Sequence, residues 1–248
     1  MSENVDISRT DGVLEIRLNR PEKKNALTRD MYDAMATAFE QVDADPTLRV
    51  ALLTGTGDTF TSGNDITDFQ SRSNGGGRSA ASRFLPTISS MQKPLLAAVN
   101  GAAVGVGTTM LMHCDHVVAA DNARFSTPFV GLGLVPEAAS SLLAPKLMGQ
   151  RRAFSLLVMG RPLGADEAKD AGLVNTVVAP ETVEAEAMKA AREIAALPPQ
   201  GVLASRRLMR GSPDEIIARI DAEADLFKTR LKSAEARAAF EAFMTRKK

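Results

Sequence analysis

Three short and almost entirely apolar stretches constrain this fold more than any other feature of the sequence. They cover residues 50–54, 95–99 and 116–120. Runs of this length without polar alternation are typical of strands that are covered on both faces, as in a parallel sheet. Segments with helical spacing, at residues 31–42 and 105–112, alternate with them. The sequence therefore predicts an α/β fold with βαβ units and a mostly parallel sheet.

The pattern changes after Pro136, where helical spacing dominates and only residues 173–178 return to strand character. The predicted helices cover residues 137–148, 151–159, 166–171 and 182–197 and the stretches after Gly201, Pro213 and Ser233. We therefore expect an α/β core over residues 1–195 and a helical C-terminal region over residues 196–248. An apolar helix side in that region needs a partner, either its own core or another subunit.

Charge and cysteine content narrow the possible functions. The 30 basic residues balance 30 acidic ones, so no net field draws the chain to nucleic acid or to an anionic membrane. Cys114 is the single cysteine, and its apolar surroundings predict an inert core thiol. With only His113 and His116 near it, no metal site is predicted. The sequence shows no signal peptide and no apolar run long enough to span a membrane, so we expect a cytoplasmic protein.

Two glycine loops share one pattern, because each leads toward a helix. They cover residues 60–66 and 100–108. Glycine permits close backbone approach, and a helix N-terminus leaves N–H groups without intrahelical partners. At the ends of neighbouring strands, two such loops would form an oxyanion hole, although either loop alone is also explained as a turn that needs glycine. Met110 stands where a dinucleotide-binding loop has its third glycine, and neither loop has the ending of a P-loop.

Glu137 is the candidate proton carrier. Because proline and an acidic residue both suit the first turn of a helix, Pro136-Glu137 is also explained as a helix start without chemistry. The alternative rests on its apolar neighbours, which would raise the pKa of a buried carboxyl into the range of a general base. A second open question concerns residues 71–79, rich in glycine and serine, which fit either a surface loop or a lid.

In their order and spacing, several motifs together resemble the crotonase superfamily, which contains the enoyl-CoA hydratases and isomerases. The motifs are Asn19-Arg20-Pro21, Asn25-Ala26-Leu27, Ser62-Gly63-Asn64-Asp65, residues 94–107 and Ala171-Gly172-Leu173-Val174. The resemblance covers nearly the whole chain. It implies a crotonase-like spiral of ββα units, a C-terminal helical trimerisation region, and trimers that often pair into hexamers.

The resemblance also implies the site. The oxyanion donors map onto the backbone N–H groups of Asn64 and Val106. The segment that meets coenzyme A maps onto Ala26 and Lys24, with Lys23 or Lys24 as the cation for the 3′-phosphate; a solvated charged turn is the alternative. The other candidates are Ser62, Gly63, Asp65, Ile66 and Gly105 for substrate binding and Thr109, Phe129 and Leu134 for the pocket. We expect Asp65 to fix its loop by hydrogen bonding and not to react.

Two departures indicate the branch of the family. Hydratases carry glutamates at the positions that hold Thr109 and Phe129 here, and neither residue can activate water. Thr127-Pro128-Phe129, Pro136-Glu137 and residues 196–199 instead resemble the Δ3,Δ2-enoyl-CoA isomerases of the peroxisomal type. The resemblance then implies that Glu137 moves a proton on a 3-enoyl-CoA to give 2-trans-enoyl-CoA.

Two other functions stay open at this point. One is an enoyl-CoA hydratase or another crotonase-type reaction through an enolate, because a fold does not dictate its chemistry. The other is a non-catalytic acyl-CoA-binding protein. The isomerase interpretation implies an acyl-CoA thioester as the substrate, no metal or redox cofactor, and a homotrimer or hexamer.

Overall fold

The structure is a computed structural model that describes residues 2–65 and 81–246. The predictions for Ile66 and for residues 71–79 lie outside the described residues. Two sheets and nine α-helices make up the described part. The larger sheet has the order β1-β2-β3-β5-β7-β10. Its strands are β1 (Val5–Thr10), β2 (Val13–Leu18), β3 (Val50–Gly55), β5 (Leu95–Val99), β7 (His116–Ala120) and β10 (Thr176–Val178).

The larger sheet is parallel except for the β1–β2 pair, which is antiparallel. The three apolar stretches of the sequence form β3, β5 and β7. Every residue of β3 and β5 is buried, as expected for strands covered on both faces. The predicted α/β fold with a mostly parallel sheet is therefore confirmed.

A smaller sheet lies beside the larger one, with the order β4-β6-β8-β9. Its strands are β4 (Thr59–Thr61), β6 (Ala102–Val104), β8 (Arg124–Ser126) and β9 (Leu163–Gly164). Strands β4, β6 and β8 follow β3, β5 and β7 after short turns and are parallel to one another. The chain thus repeats a long strand, a short strand and then helical turns, which confirms the spiral of ββα units.

The helices in chain order, with short 3₁₀ turns left out, are α1 (Arg29–Ala44), α2 (Ala81–Ser90), α3 (Val106–Thr109), α4 (Ser140–Leu157), α5 (Ala165–Asp170), α6 (Val183–Ala195), α7 (Pro199–Arg210), α8 (Asp214–Leu231) and α9 (Ala234–Arg246). Helix α1 begins at the N-cap Thr28, whose side chain accepts a hydrogen bond from the N–H of Met31. Its buried face meets α2, where the rings of Tyr32 and Phe84 lie 5.1 Å apart. None of the described helices is long and apolar enough to cross a membrane.

Two predictions differ from the structure, and both concern where an element begins. The predicted strand at residues 173–178 shrinks to β10, because the N–H groups of Leu173 and Val174 bond to the carbonyl of Ala168 and close a turn. The two helices predicted at residues 137–148 and 151–159 do meet at a break: α4 consists of two helical segments joined by a kink at Gly149, where φ is 76° and ψ is 157°. This helix begins at Ser140, so the prediction that Glu137 lies in a first helical turn is wrong.

The C-terminal helices pack onto the segment that leads into α4. A Cβ on Gly133 would lie 2.8 Å from the Cα of Ala236 in α9, so α9 meets this backbone directly. The guanidinium of Arg230, in α8, donates to the carbonyl of Gly133 at 3.1 Å. The helical C-terminal region therefore covers the chain around Glu137 within the same molecule.

Candidate active site

The two glycine loops lie side by side. They leave the carboxyl ends of β4 and β6, which pair in parallel with Thr59 opposite Ala102 and Thr61 opposite Ala103. The approach is close, since a Cβ on Gly63 would lie 2.7 Å from the carbonyl oxygen of Val104. This confirms that the loops stand at the ends of neighbouring strands, as an oxyanion hole requires.

Gly63 cannot accept a side chain without moving this contact, and its φ is 85°. We expect Gly63→Ala to lower the free energy of unfolding by roughly 1–3 kcal/mol, since strain in the left-handed region adds to the clash. Gly131→Ala is the matched control, because a Cβ there meets nothing within 4 Å and φ is not positive. Denaturant unfolding of both variants checks this; equal loss in the two would contradict it.

The backbone N–H groups of Asn64 and Val106 donate to no backbone acceptor within residues 2–65 and 81–246. Val106 is the first residue of α3, so its N–H has no intrahelical acceptor. Around Asn64, the N–H of Leu27 donates to Gly63 at 2.8 Å and the N–H of Asp65 donates to Leu27 at 3.0 Å. This bridge uses the polar groups on both sides of Asn64 and leaves the N–H of Asn64 unused. The two donors named from the sequence thus stand on adjacent loops.

The segment proposed for coenzyme A runs beside the first glycine loop. Ser62 donates its N–H to the carbonyl of Lys24 at 2.9 Å, and Ala26 follows in the same turn. Arg20 joins the two, since one of its guanidinium nitrogens donates to Asp65 at 2.7 Å and to the carbonyl of Ala26 at 3.1 Å. The expectation that Asp65 holds its loop agrees with this bond.

The three pocket residues are buried and carry no acid. Thr109 is fully buried, and its hydroxyl donates to the carbonyl of Val106 at 3.4 Å. Phe129 is 5% exposed, and its ring edge would lie 3.9 Å from a Cβ on Gly105. Leu134 donates its N–H to the carbonyl of Phe129 at 2.8 Å. At the two positions where the resemblance places hydratase glutamates, the structure therefore has the hydroxyl of Thr109, which bonds to the backbone of its own helix, and the ring of Phe129, which lies beside the second glycine loop.

Glu137 lies in the turn before α4 and is only partly buried as a residue, but its Oε1 atom is buried and has no hydrogen-bond partner among the described residues. Burial and, to a smaller extent, the negative charge of Glu223 together raise the pKa of Glu137 to about 7. A carboxyl with a pKa near neutrality can both take and return a proton. Its surroundings thus give it a pKa at which it could exchange a proton near neutral pH.

The sequence model of the enoyl-CoA hydratase/isomerase family matches residues 8–248. The chain belongs to this family. Among solved structures, the enoyl-CoA hydratase/isomerase from Pseudoalteromonas atlantica T6c is 45% identical, with a TM-score of 0.94 over 98% of each chain. Pseudomonas aeruginosa OdaA is 44% identical, with a TM-score of 0.93 over 98% of this chain and 99% of that one.

Relatives within the hydratase/isomerase family differ in the reactions that their names give. Enoyl-CoA delta isomerase 2 of Rattus norvegicus is 38% identical over 99% of this chain. The chain spans 64% of the length of that protein and of its Homo sapiens counterpart. The crotonyl-CoA hydratase of Syntrophomonas wolfei is 33% identical, over 99% of this chain and 96% of its own. Membership of the family therefore does not tell which reaction this chain catalyses, and that question has to be argued from the residues of the site.

Three residues of this family member escaped sequence reasoning. The sequence indicates Arg20 only as part of the motif Asn19-Arg20-Pro21 and not as the partner of Asp65, with which it pairs. His113 and Glu223 both contact the turn after Glu137, and His113 was considered only as a metal ligand. A buried glutamate in a predicted helix carries no local signal, since only tertiary contact shows what it bonds.

Proposed function

We propose that this protein isomerises 3-enoyl-CoA thioesters to 2-trans-enoyl-CoA with Glu137 as its single acid–base group. One observation carries the proposal: Glu137 is a carboxyl with a pKa of about 7, while Thr109 and Phe129 stand at the two positions where the resemblance places the glutamates of hydratases. Moving a proton between two carbons needs one such group, whereas adding water needs groups that activate and orient the water.

The proposed reaction accounts for every proton and bond with Glu137 as the proton carrier. The carboxylate of Glu137 takes a proton from C2 of the 3-enoyl thioester, and the electron pair left at C2 forms a dienolate. The dienolate oxygen accepts hydrogen bonds from the backbone N–H groups of Asn64 and Val106. The resulting carboxylic acid returns its proton to C4, and the double bond moves to C2–C3. Each backbone donor is expected to stabilise the developing charge by roughly 3–4 kcal/mol, as in other oxyanion holes.

The delta isomerase names of the rat and human relatives support this choice. The same proposal assigns Lys24, Ala26, Ser62, Asp65 and Gly105 to the thioester and coenzyme A. Hydration of a 2-enoyl-CoA is the second candidate, favoured by the crotonyl-CoA hydratase relative.

Parallel assays on purified protein separate these functions. We expect 3-cis-enoyl-CoA to be converted to 2-trans-enoyl-CoA, and 2-trans-enoyl-CoA in water to give no 3-hydroxyacyl-CoA at a comparable rate. Hydration at a comparable rate would replace the proposal with a hydratase. Binding of both thioesters without turnover would show a non-catalytic acyl-CoA-binding protein.

The pH dependence follows from the raised pKa. The free enzyme must hold Glu137 as carboxylate to take a proton, so we expect kcat/KM to fall as pH decreases through about 7. With an ordinary glutamate pKa, the fall would occur near 4.5. Initial rates from pH 5 to 9 measure this limb, and a flat profile down to pH 5 would contradict the assignment.

A further inference from the structure

The peptide bond between Ala138 and Ala139 is held from both sides by side chains. Its carbonyl oxygen lies 2.9 Å from Nε2 of His113, and its N–H donates to Oε2 of Glu223 at 2.7 Å. This peptide begins one residue after Glu137. Its two alanines have φ values of 63° and 55°, a left-handed conformation that costs free energy in a residue with a Cβ and persists only when its surroundings hold it.

Both side chains are buried and come from separate parts of the fold. His113 is 1% exposed and ends the 3₁₀ turn after α3, and Glu223 is 5% exposed and lies on α8. The second carboxylate oxygen of Glu223 accepts the N–H of Ser141 at 2.9 Å. Glu223 therefore bonds two of the N–H groups at the start of α4, where the N-cap residue Ala139 has no side-chain acceptor.

The protonation states fit this arrangement. Burial lowers the pKa of His113 to about 4, so the ring is neutral near pH 7 and, with its proton on Nε2, donates to the carbonyl of Ala138. Burial raises the pKa of Glu223, while the hydrogen bonds from Ser141 and Ala139 and the charge of Arg219 oppose that rise. Two N–H donors on its two oxygens favour the carboxylate.

The charges around the turn are few among the described residues. Arg210 bonds the backbone carbonyl of His113, Arg219 lies near Glu223, and Arg230, paired with Glu235, bonds the carbonyl of Gly133. Glu223 is the charge that acts on Glu137. The carboxyl group of Glu223 thus accepts hydrogen bonds from the turn, and its negative charge raises the pKa of Glu137.

We propose that His113 and Glu223 are positioning residues that clamp the Ala138–Ala139 peptide and so direct the carboxylate of Glu137 into the site. This inference rests on the proposed function of Glu137 as the base. Neither side chain needs to touch substrate. The clamp gives hydrogen-bond partners to Nε2 of His113 and to both carboxyl oxygens of Glu223 in the buried interior, where unpaired polar groups are costly, while Nδ1 of His113 has no partner among the described residues.

Glu223→Gln removes the charge and one of the two acceptors but keeps the shape. We expect kcat for isomerisation to fall roughly 10- to 100-fold with KM within about threefold, because a misplaced base loses reactivity while the binding loops stay in place. The matched control is Glu215→Gln on the same helix, which removes an exposed ion pair between α8 and Lys146 of α4 and should leave both constants unchanged. Far-ultraviolet circular dichroism verifies folding.

A readout independent of turnover tests the tuning of Glu137. Carbon-13 NMR of protein labelled at glutamate side-chain carboxyls, with Glu137→Gln used to assign the signal, should show Glu137 titrating near 7 in the wild type. In Glu223→Gln the midpoint should move to lower pH, since the neighbouring negative charge is gone. In Glu215→Gln it should not move.

The histidine half of the clamp has its own test, which also serves if Glu223→Gln does not fold. His113→Leu lacks the donor and should lose kcat as Glu223→Gln does, whereas His113→Gln, with an amide N–H in a similar place, should recover most of it. An equal loss in both, or none in either, would overturn the role of His113.

The outcomes separate this inference from the proposed function. A wild type that isomerises, with kcat and the pKa of Glu137 unchanged in Glu223→Gln, overturns the clamp alone. A wild type that does not isomerise overturns the proposed function. In that case the NMR titration still decides the clamp, because a midpoint shifted by Glu223→Gln supports it and an unshifted one overturns it.

Discussion

Replacing Glu137 with glutamine should lower kcat for the isomerisation of 3-cis-enoyl-CoA by about 10²–10⁴-fold, the range that a positioned acid–base group contributes. KM should change little, because in the proposed site the glycine loops hold the thioester and this side chain does not. Single-turnover kinetics on wild type and variant measure the loss. Glu181→Gln, in an exposed turn far along the chain, is the control and should keep full activity.

The same variant should be more stable than the wild type at alkaline pH. The native pKa of Glu137 is about 7 against an ordinary value of 4.5, so the wild type loses stability as pH rises from about 4.5 through 7, where the native state must give up a proton that the unfolded chain has already lost. Glutamine has no such loss. We expect a gain of up to about 3 kcal/mol at pH 8 and none at pH 4.

The stability measurement distinguishes a variant that has lost its base from one that has lost its fold. An inactive Glu137→Gln that is equally or more stable at pH 8 has lost its base and not its fold. An inactive variant that is less stable at pH 8 than the wild type would instead indicate a structural role for the carboxylate, and the assignment of Glu137 as the base would fail.

Removing the N–H of Val106 should have the second largest effect. In Val106→Pro the proline would stand at the first residue of α3, a position that accepts its fixed φ. Gly105 before it has φ 59° and ψ −120°, an extended conformation of opposite hand that glycine can hold beside a proline. The substitution therefore removes the donor with little change to the helix.

We expect Val106→Pro to lower kcat/KM by about 10²–10³-fold, the cost of losing one oxyanion donor. Val106→Ala keeps the N–H and shortens only the side chain, so it should stay within about tenfold of the wild type for the same reason. Steady-state kinetics on both variants test the pair. Equal activity in the proline and alanine variants would exclude this N–H from the reaction.

The long strands could be predicted because each leaves a signature in its own residues. Strands β3 and β5 are covered on both faces, so their composition alone is apolar. The short strands β4 and β6 have three residues each, which is too few for a periodic pattern. The smaller sheet therefore became visible only in the fold, although it is the element that places the two glycine loops together.

The start of α4 shows where local sequence misleads. Pro136-Glu137 has the chemistry of a first helical turn, yet the helix begins at Ser140. Two distant side chains hold the intervening turn: the bond from Ala139 to Glu223 spans 84 residues and that from Ala138 to His113 spans 25. The residues next to Glu137 in the sequence therefore do not indicate which side chains bond to this turn. Glu137 could be named from the sequence as a candidate base, whereas the two side chains that bond its turn could not.

The transfer of deuterium from C2 tests the central claim most directly. Wild-type enzyme is given 3-cis-enoyl-CoA deuterated at C2, and the product of a single turnover is analysed by mass spectrometry and NMR. A single base that removes one deuteron and returns it predicts a slowed rate and product with part of the label at C4. Product without label at C4, formed at the rate of the unlabelled substrate, would contradict a proton shuttle by Glu137.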